Sequence, residues 1–204
     1  MATLEEGKAA VRLARDAVTA YVEKMARIKP EGLPPVFHEK RGVFVTLHEE
    51  GELRGCIGYP EPIMPMGLAI VDSAINAASR DPRFPAVRPA ELSRIDIEVT
   101  ILTKPEPYIA PKAELPTRVK IGKDGLIVSK GMFSGLLLPQ VAPEYNMDPM
   151  EFLSQTSLKA GMPPDAWIDE DTEVLHFQAQ IFSEVAPGRE VIEKTFADIS
   201  RGTC

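Results

Sequence analysis

The segment Leu53–Tyr59 sets an arginine, a cysteine and two glycines into an apolar run, LRGCIGY. Glycine weakens a β-strand unless the backbone must bend or another group must approach it closely. The β-prone run Gly42–Leu47 precedes this segment, and Glu49–Glu52 between them has the composition of a turn. This order predicts a β-hairpin with Leu53–Tyr59 as its return strand, and therefore an antiparallel strand pair in the first third of the chain.

The faces of the return strand follow from alternation, because successive side chains of a strand point to opposite sides. Arg54, Cys56 and Gly58 then share one face, and Gly55 lies on the other. A nearby cation stabilises a thiolate, so Cys56 beside Arg54 is a candidate nucleophile. The alternative is a buried cysteine that fills a small gap in the core.

Periodic apolar residues predict the remaining elements. The predicted helices are Leu4–Ala26, with a Thr3 and Glu6 capping box, then Gly67–Ser79, and a third from Asp148 to Gly161. The other predicted strands are Ile95–Leu102, Glu173–Glu184 and a second hairpin that pairs Val119–Ile121 with Leu126–Val128. Strands joined by hairpins and interrupted by helices predict an α+β fold.

Charge and cysteine usage disfavour several functional classes. The 204 residues carry 23 Lys and Arg against 30 Asp and Glu, a formal charge of -7, which disfavours the broad basic surface that nucleic-acid binding requires. Cys56 and Cys204 lack the spacing of a metal site or a disulfide framework, so no metal is predicted. No apolar run reaches the roughly 18 residues of a membrane helix, and a cytoplasmic protein is expected.

The loop Arg80–Arg88 concentrates arginines, including Arg83, in an otherwise acidic chain. With Arg54 it is a candidate site for a carboxylate or phosphate, because arginine donates paired hydrogen bonds to both. The alternative is a structural loop in which Asp81 caps a helix or pairs with an arginine, while Phe84 anchors into the core.

Other polar residues receive structural interpretations. Each of His38, His48 and His176 is predicted to be a surface or hydrogen-bonded histidine rather than a catalytic base. Asp96 and Glu98 alternate along a strand, which predicts a solvated face.

Two loop features complete the set of candidates. Gln140 and Glu144 follow an apolar segment, and they are candidates either to line a cleft between two lobes or to cap a helix. The run Gly122–Gly125 lacks the spacing of a phosphate-binding loop, and we interpret it as a hairpin turn.

The chain carries RGVFVTL at residues 41–47, LRGCIG at 53–58, DPRFP at 81–85 and LLPQVA at 137–142. In order and spacing these runs resemble the AMMECR family, named for a chromosomal region linked to Alport syndrome with elliptocytosis, and the last run resembles its archaeal members. The resemblance covers nearly the whole chain and implies a single AMMECR-type domain. It implies two lobes, each with an antiparallel sheet flanked by helices: a larger lobe at about 1–103 and 172–204, and a smaller lobe at about 104–171.

The resemblance carries no established reaction, and function belongs to sites rather than folds. We expect a binding or adaptor module that recognises a small anion or a partner protein at an inter-lobe cleft beside LRGCIG. The candidate ligand-binding residues are Arg54, Gly55, Gly58, Arg80, Arg83 and Gln140. The alternative is an enzyme that acts through Cys56 on an acidic small molecule or a modified macromolecule.

Some microbial relatives in this family occur joined to or beside domains resembling the MEMO family and radical S-adenosylmethionine enzymes, which implies a shared pathway. This chain itself has no CxxxCxxC pattern, so an iron-sulfur cofactor is not expected, and no other cofactor is predicted.

Overall fold

The computed structural model describes residues 1–194; residues 195–204, including Cys204, lie outside the described part. The helices are α1 Leu4–Lys24, α2 Met66–Ser79, α3 Leu115–Arg118, α4 Val141–Glu144 and α5 Pro149–Lys159. The strands are β1 Val43–Glu49, β2 Glu52–Tyr59, β3 Ile95–Leu102, β4 Glu106–Pro107, β5 Gly125–Lys130, β6 Phe133–Leu137, β7 Glu173–Phe177, β8 Ala179–Glu184 and β9 Val191–Lys194. Short 3-10 turns lie at Pro35–His38, Pro89–Glu91, Lys112–Glu114 and Ala166–Ile168.

The chain divides into two compact units, each built around its own sheet. The first unit comprises Met1–Leu102 together with the chain from Gln180 onward, and the second comprises Thr103–Ala179. The first sheet has the strand order β2-β1-β3-β8-β9, and the second has the order β4-β7-β5-β6. Helices combined with two sheets confirm the predicted α+β class. Within residues 1–194 there is no helix of the length and apolarity needed to cross a membrane.

In the first unit, α1 and α2 cover one face of the sheet. That face is apolar because alternate residues of β1 and β3 pair there, with Val45 opposite Val99 and Leu47 opposite Ile97. All four side chains are fully buried. Burying side chains of this size stabilises a fold by roughly 1.5–3 kcal/mol each, so this layer is the main core of the unit.

The start of α1 is specified locally. The Thr3 hydroxyl accepts a hydrogen bond from the Glu6 backbone, and the Glu6 carboxylate accepts one from the Thr3 backbone, which is the predicted capping box. The helix ends at Lys24, where Met25 adopts a left-handed conformation (φ 53°). The predicted first helix is thus confirmed, two residues shorter than expected.

In the second unit, α5 packs on β5 and β6. Asp148 caps the helix by accepting a hydrogen bond from the Glu151 backbone at 2.8 Å, and Pro149 occupies its first turn, as predicted. Gly135 of β6 allows this packing, because a Cβ there would lie 2.3 Å from the backbone nitrogen of Ala160. The core beneath the helix includes the fully buried Phe152.

Two predicted strand assignments are wrong. Val119–Ile121 is not a strand; the second hairpin is instead β5 with β6, which turns at Gly131 (φ 60°). Asp124 explains the difference, because it is buried and accepts a hydrogen bond from the Lys120 backbone at 2.9 Å, which closes a compact loop before β5. The predicted single strand Glu173–Glu184 is two strands, β7 and β8, in different sheets.

Candidate functional site

Within residues 1–194, the outer edge of β2 is capped at Cys56 by side chains and has no further strand beside it. β2 is the terminal strand of its sheet. The Cys56 backbone N–H donates to Asp81 Oδ2 at 2.8 Å, and Arg83 Nη2 donates to the Cys56 carbonyl at 3.3 Å. An exposed edge strand is prone to pair with another chain. Asp81 and Arg83 therefore satisfy both backbone groups of Cys56, which a neighbouring strand would otherwise bind.

Asp81 organises the loop that carries this cap. Its carboxylate also accepts hydrogen bonds from the Arg83 backbone at 3.0 Å and from Arg83 Nε and Nη2 at 3.0 and 2.8 Å. The Arg83 side chain, helped by the Cys56 and Arg83 backbone donors, lowers the pKa of Asp81 to about 2, although burial opposes the shift. The Arg83 guanidinium also lies 5.6 Å from the centre of the Phe84 ring. The predicted pairing of Asp81 with an arginine is confirmed.

Arg54 lies two residues before Cys56 in β2 and is buried, with 9% of its surface exposed. Its Nε donates to Glu91 Oε1 at 3.0 Å, and Glu49 Oε2 lies 3.9 Å from the same nitrogen. Within residues 1–194, its buried Nη1 has no hydrogen-bond partner. A buried donor left unpaired costs about 1–3 kcal/mol or more, so this nitrogen marks a place where an acceptor would be stabilised.

Two further arginines surround the same carboxylates. Arg88 Nε lies 3.4 Å from Glu91 Oε2, and Arg94 Nη2 lies 2.6 Å from Glu49 Oε1. Burial acts to raise the pKa of Glu91, but hydrogen bonds from the Arg88 backbone and Arg54 outweigh it and lower that pKa. Three guanidinium groups therefore meet two carboxylates, which leaves one excess positive charge in a chain whose formal charge is -7.

Cys56 lies on a buried polar face of the sheet. It is 4% exposed, and its Sγ lies 3.2 Å from the Thr46 hydroxyl in the opposite strand. Glu98 pairs with Thr46 on the other side and is only 2% exposed. Lys194 Nζ donates to Glu98 Oε2 at 3.2 Å, whereas Glu98 Oε1 is buried and has no hydrogen-bond partner among residues 1–194. The expectation that Glu98 lies on a solvated face is wrong.

The histidines and Asp96 occupy less central positions. His48 Nδ1 lies 3.7 Å from Asp96 Oδ2, and both side chains are partly exposed. Burial raises the pKa of Asp96. His38 is exposed. His176 belongs to the second unit, where its ring stacks on Tyr108 with the ring centres 4.3 Å apart.

The two glycines of the motif have packing roles. Gly55 faces α2, and a Cβ there would lie 2.3 Å from the Ala77 carbonyl oxygen. Gly58 faces the other way, where a Cβ would lie 2.3 Å from the Val43 carbonyl and 2.4 Å from the Phe44 ring. Neighbouring protein groups thus fill the space beside both glycines, and only glycine lets α2 and the Phe44 ring approach so closely.

The two remaining candidate ligand-binding residues are Arg80 and Gln140. Arg80 is exposed, and its backbone N–H donates to the Asn76 carbonyl at 2.7 Å to end α2. Gln140 belongs to the second unit, where its carbonyl accepts a hydrogen bond from the Glu144 backbone at 3.1 Å. Across residues 1–194, no three His, Cys, Asp or Glu side chains are grouped so as to hold a metal ion.

Sequence reasoning missed several members of this site. Glu91 and Thr46 were not considered and Glu98 was assigned to a solvated face, although all three are buried polar residues around Arg54 and Cys56. A signal for Glu91 was present, since an acidic residue three positions after Arg88 is placed to accept its backbone hydrogen bond.

Fold and site together define an α+β protein of two units in which a loop rich in arginine and carboxylate closes the edge of a glycine-marked strand. The sequence model of the AMMECR1 family matches residues 11–182. The chain belongs to the AMMECR1 family, which confirms the resemblance expected from its four motifs.

Relatives of this chain are archaeal proteins, in agreement with the expected archaeal member. Protein Mbar_A1807 of Methanosarcina barkeri is 56% identical over 201 residues, covering 97% of this chain and 99% of the relative. Protein MJ0810 of Methanocaldococcus jannaschii is 51% identical over 195 residues, covering 94% and 96%. The crystal structure of uncharacterized protein PH0010 from Pyrococcus horikoshii has 47% identity and a TM-score of 0.79, covering 94% of this chain and 97% of that one.

Proposed function

We propose that this protein is a binding or adaptor module, and that its ligand presents a carboxylate or phosphate group to Arg54 beside the LRGCIG strand. The observation that carries the proposal is the buried Arg54 Nη1, which has no hydrogen-bond partner within residues 1–194. An oxyanion would supply the missing acceptor and would form a charge-assisted hydrogen bond.

The surrounding charges support an anionic ligand. Glu91 holds Arg54 Nε at 3.0 Å and so orients the guanidinium, while the buried Nη1 has no hydrogen-bond partner within residues 1–194. Arg88 and Arg94 add two positive charges at the same pair of carboxylates. The excess positive charge favours an anion over a cation, and a planar guanidinium suits carboxylate and phosphate geometry.

The roles of the other candidate residues are narrower in this proposal. Arg83 is occupied by Asp81 and the Cys56 carbonyl, so it positions β2 and does not present a free guanidinium to the ligand. Gly55 and Gly58 set the packing of the strand, and Arg80 is an exposed cation that attracts an anion at longer range.

Titration calorimetry with inorganic phosphate and with succinate tests the proposal. We expect binding of one of these probes at millimolar concentration, and at least tenfold weaker binding in Arg54→Ala and in Arg54→Lys. The lysine variant keeps the charge beside Glu91 but cannot present Nη1, so it separates recognition from folding.

Arg118→Ala is the matched control, because Arg118 is an exposed arginine in the second unit paired with Glu114 at 3.5 Å. Its affinity for the probes should equal that of the original protein. Absence of binding for phosphate, succinate and a glutamate-rich peptide at millimolar concentration would overturn the proposal, as would unchanged affinity in Arg54→Lys.

A cysteine-dependent enzyme is the second candidate function. The observation that favours it is the fixed position of Cys56, whose backbone is held on both sides and whose Sγ contacts the Thr46 hydroxyl at 3.2 Å. The Cys56 sulfur takes part in a disulfide in this structure, so the reactive form would be the reduced thiol. A shared pathway with MEMO-like and radical S-adenosylmethionine proteins would supply its context. Replacement of the chromosomal gene by Cys56→Ser discriminates: loss of cellular function with unchanged probe binding supports the enzyme, and retained function excludes it.

A further inference from the structure

The second unit contains a groove that lies outside the Arg54 site. Its volume is about 820 Å³, and its walls are formed by the β5–β6 turn, Lys130–Phe133, and by the chain after α5, from Gly161 to Asp171. Every residue of its lining belongs to the second unit. A groove of this size accommodates several side chains.

The groove is largely apolar. Met132 is 90% exposed and Phe133 is 51% exposed, although both are large hydrophobic residues. Met162 and Ala166 form buried parts of the same lining. Adjoining apolar side chains of this kind, when exposed together, mark binding surfaces more often than chance exposure does.

The rim of the groove carries an excess of negative charge. Lys130 Nζ lies 3.0 Å from Asp169 Oδ2 and 2.7 Å from Asp171 Oδ1, so one cation meets two carboxylates. The Asp171 side chain remains 69% exposed. Asp165 and Glu170 lie in the same segment and are also exposed. Charge complementarity therefore favours a ligand that combines a cation with apolar groups.

A free strand edge borders the groove. β6 is the terminal strand of its sheet and pairs, within residues 1–194, with β5 alone. Phe133, the first residue of β6, lines the groove. An extended peptide can add to such an edge through main-chain hydrogen bonds, while its side chains enter adjoining pockets.

We propose that this groove docks an extended segment of a partner protein that carries both lysine or arginine and large apolar residues on one face, at every second position. The segment adds alongside β6, its apolar side chains cover Met132 and Phe133, and its basic side chains meet Asp169 and Asp171. This function is independent of anion recognition at Arg54, because the two sites carry opposite charge and belong to different units.

The probe is an end-blocked peptide of about eight residues in which threonine occupies every second position, and valine and lysine alternate at the positions between, so that both lie on one face. Its matched partner carries glutamate in place of every lysine. Trp167 reports binding, since it is the single tryptophan of the chain and follows Ala166 of the lining. We expect a change in Trp167 fluorescence and shifts of the β6 backbone amides with the lysine peptide, and at least tenfold weaker binding of the glutamate peptide.

Asp171→Lys reverses one exposed charge on the rim and should weaken binding of the lysine peptide roughly tenfold. Glu190→Lys is the matched control, because it makes the same charge change at an exposed position of the first unit. Circular dichroism of both variants checks that the fold is unchanged.

Four binding results would overturn the proposal. These are equal affinity for the two peptides, unchanged affinity in Asp171→Lys, hexylammonium binding as tightly as the peptide, and amide shifts remote from β6. The third result would indicate a small amphipathic cation as the occupant. Self-association that Asp171→Lys abolishes would instead assign the face to a second copy of this chain, and it would also overturn the proposal.

Discussion

Replacement of Asp81 by asparagine tests how the edge of β2 is held. Asp81 is 4% exposed, and its carboxylate receives hydrogen bonds from the Cys56 backbone and from both the backbone and side chain of Arg83. Asparagine has nearly the same shape but one acceptor oxygen and no charge. At least one of these donors then faces an NH₂ group and is left unpaired.

The size of the effect follows from the pKa of Asp81. It is lowered from 3.8 to about 2, and each pKa unit corresponds to about 1.4 kcal/mol. The ionised carboxylate thus contributes about 2 kcal/mol to the free energy of unfolding. Because the folded pKa is the lower one, this contribution is complete above about pH 4 and is lost as the pH falls towards 2.

Urea unfolding, followed by circular dichroism at pH 7 and at intervals down to pH 2, measures both quantities. We expect Asp81→Asn to lower the free energy of unfolding by about 2–3 kcal/mol at pH 7, with a smaller difference at pH 2. Asp16→Asn, at an exposed position of α1, should leave the urea midpoint unchanged. A loss in Asp81→Asn that stays constant from pH 7 to pH 2 would refute the assigned role of the ionised carboxylate.

Three further substitutions have defined outcomes. Gly55→Ala should lower the free energy of unfolding by about 2 kcal/mol in urea titrations, because the new Cβ would meet the Ala77 carbonyl; an unchanged midpoint would contradict this packing. Arg15→Ala should lower the free energy of unfolding by about 3 kcal/mol, because it leaves the buried Glu184 carboxylate without its ion-pair partner. A loss no greater than that for an exposed ion pair would contradict this role. Burial and a neighbouring carboxylate raise the pKa of Tyr108, so its phenol should stay protonated between about pH 9 and 11. Tyr108→Phe should therefore leave the rise in phenolate absorbance of the folded protein over this range unchanged, and a smaller rise in the variant would contradict this.

Local signals in the sequence were sufficient for the first hairpin and the main helices. Thr3 and Glu6 form a capping box within three residues of each other, and Asp148 caps α5 within a similar distance. Such interactions depend on neighbours along the chain, so a sequence pattern predicts them well. The pairing of Asp81 with Arg83 is equally local, and it was foreseen as the structural alternative for the arginine loop.

The burial of Glu98 could not be predicted in the same way. Alternation places Glu98 on the face of β3 that is opposite the apolar one, and this second face of an antiparallel sheet is usually solvated. The structure buries Glu98 between Thr46 of β1 and Lys194 of β9, which is 96 residues away in sequence. Burial of a polar strand face depends on which distant segments cover it, and single-strand periodicity contains no such information.

The boundary between β7 and β8 was missed for a related reason. The run Glu173–Glu184 alternates without interruption, so its pattern fits one strand. The break falls near Gln178, whose backbone N–H donates to the Thr103 hydroxyl at 2.8 Å and whose carbonyl accepts from the Thr103 backbone at 2.8 Å. A residue 75 positions earlier thus holds the chain where it leaves one sheet for the other.

The two candidate sites differ most clearly at their strand edges. At β2, the backbone N–H and C=O of Cys56 are both occupied by Asp81 and Arg83, so a partner strand cannot add there without displacing an ion pair. At β6, no comparable side-chain cap is present within residues 1–194, and exposed Met132 and Phe133 lie beside the edge. Of these two edges, the uncapped edge of β6 is the one expected to accept an added strand. At the capped edge of β2, the proposed anion recognition instead depends on the Arg54 side chain, whose Nη1 has no hydrogen-bond partner within residues 1–194.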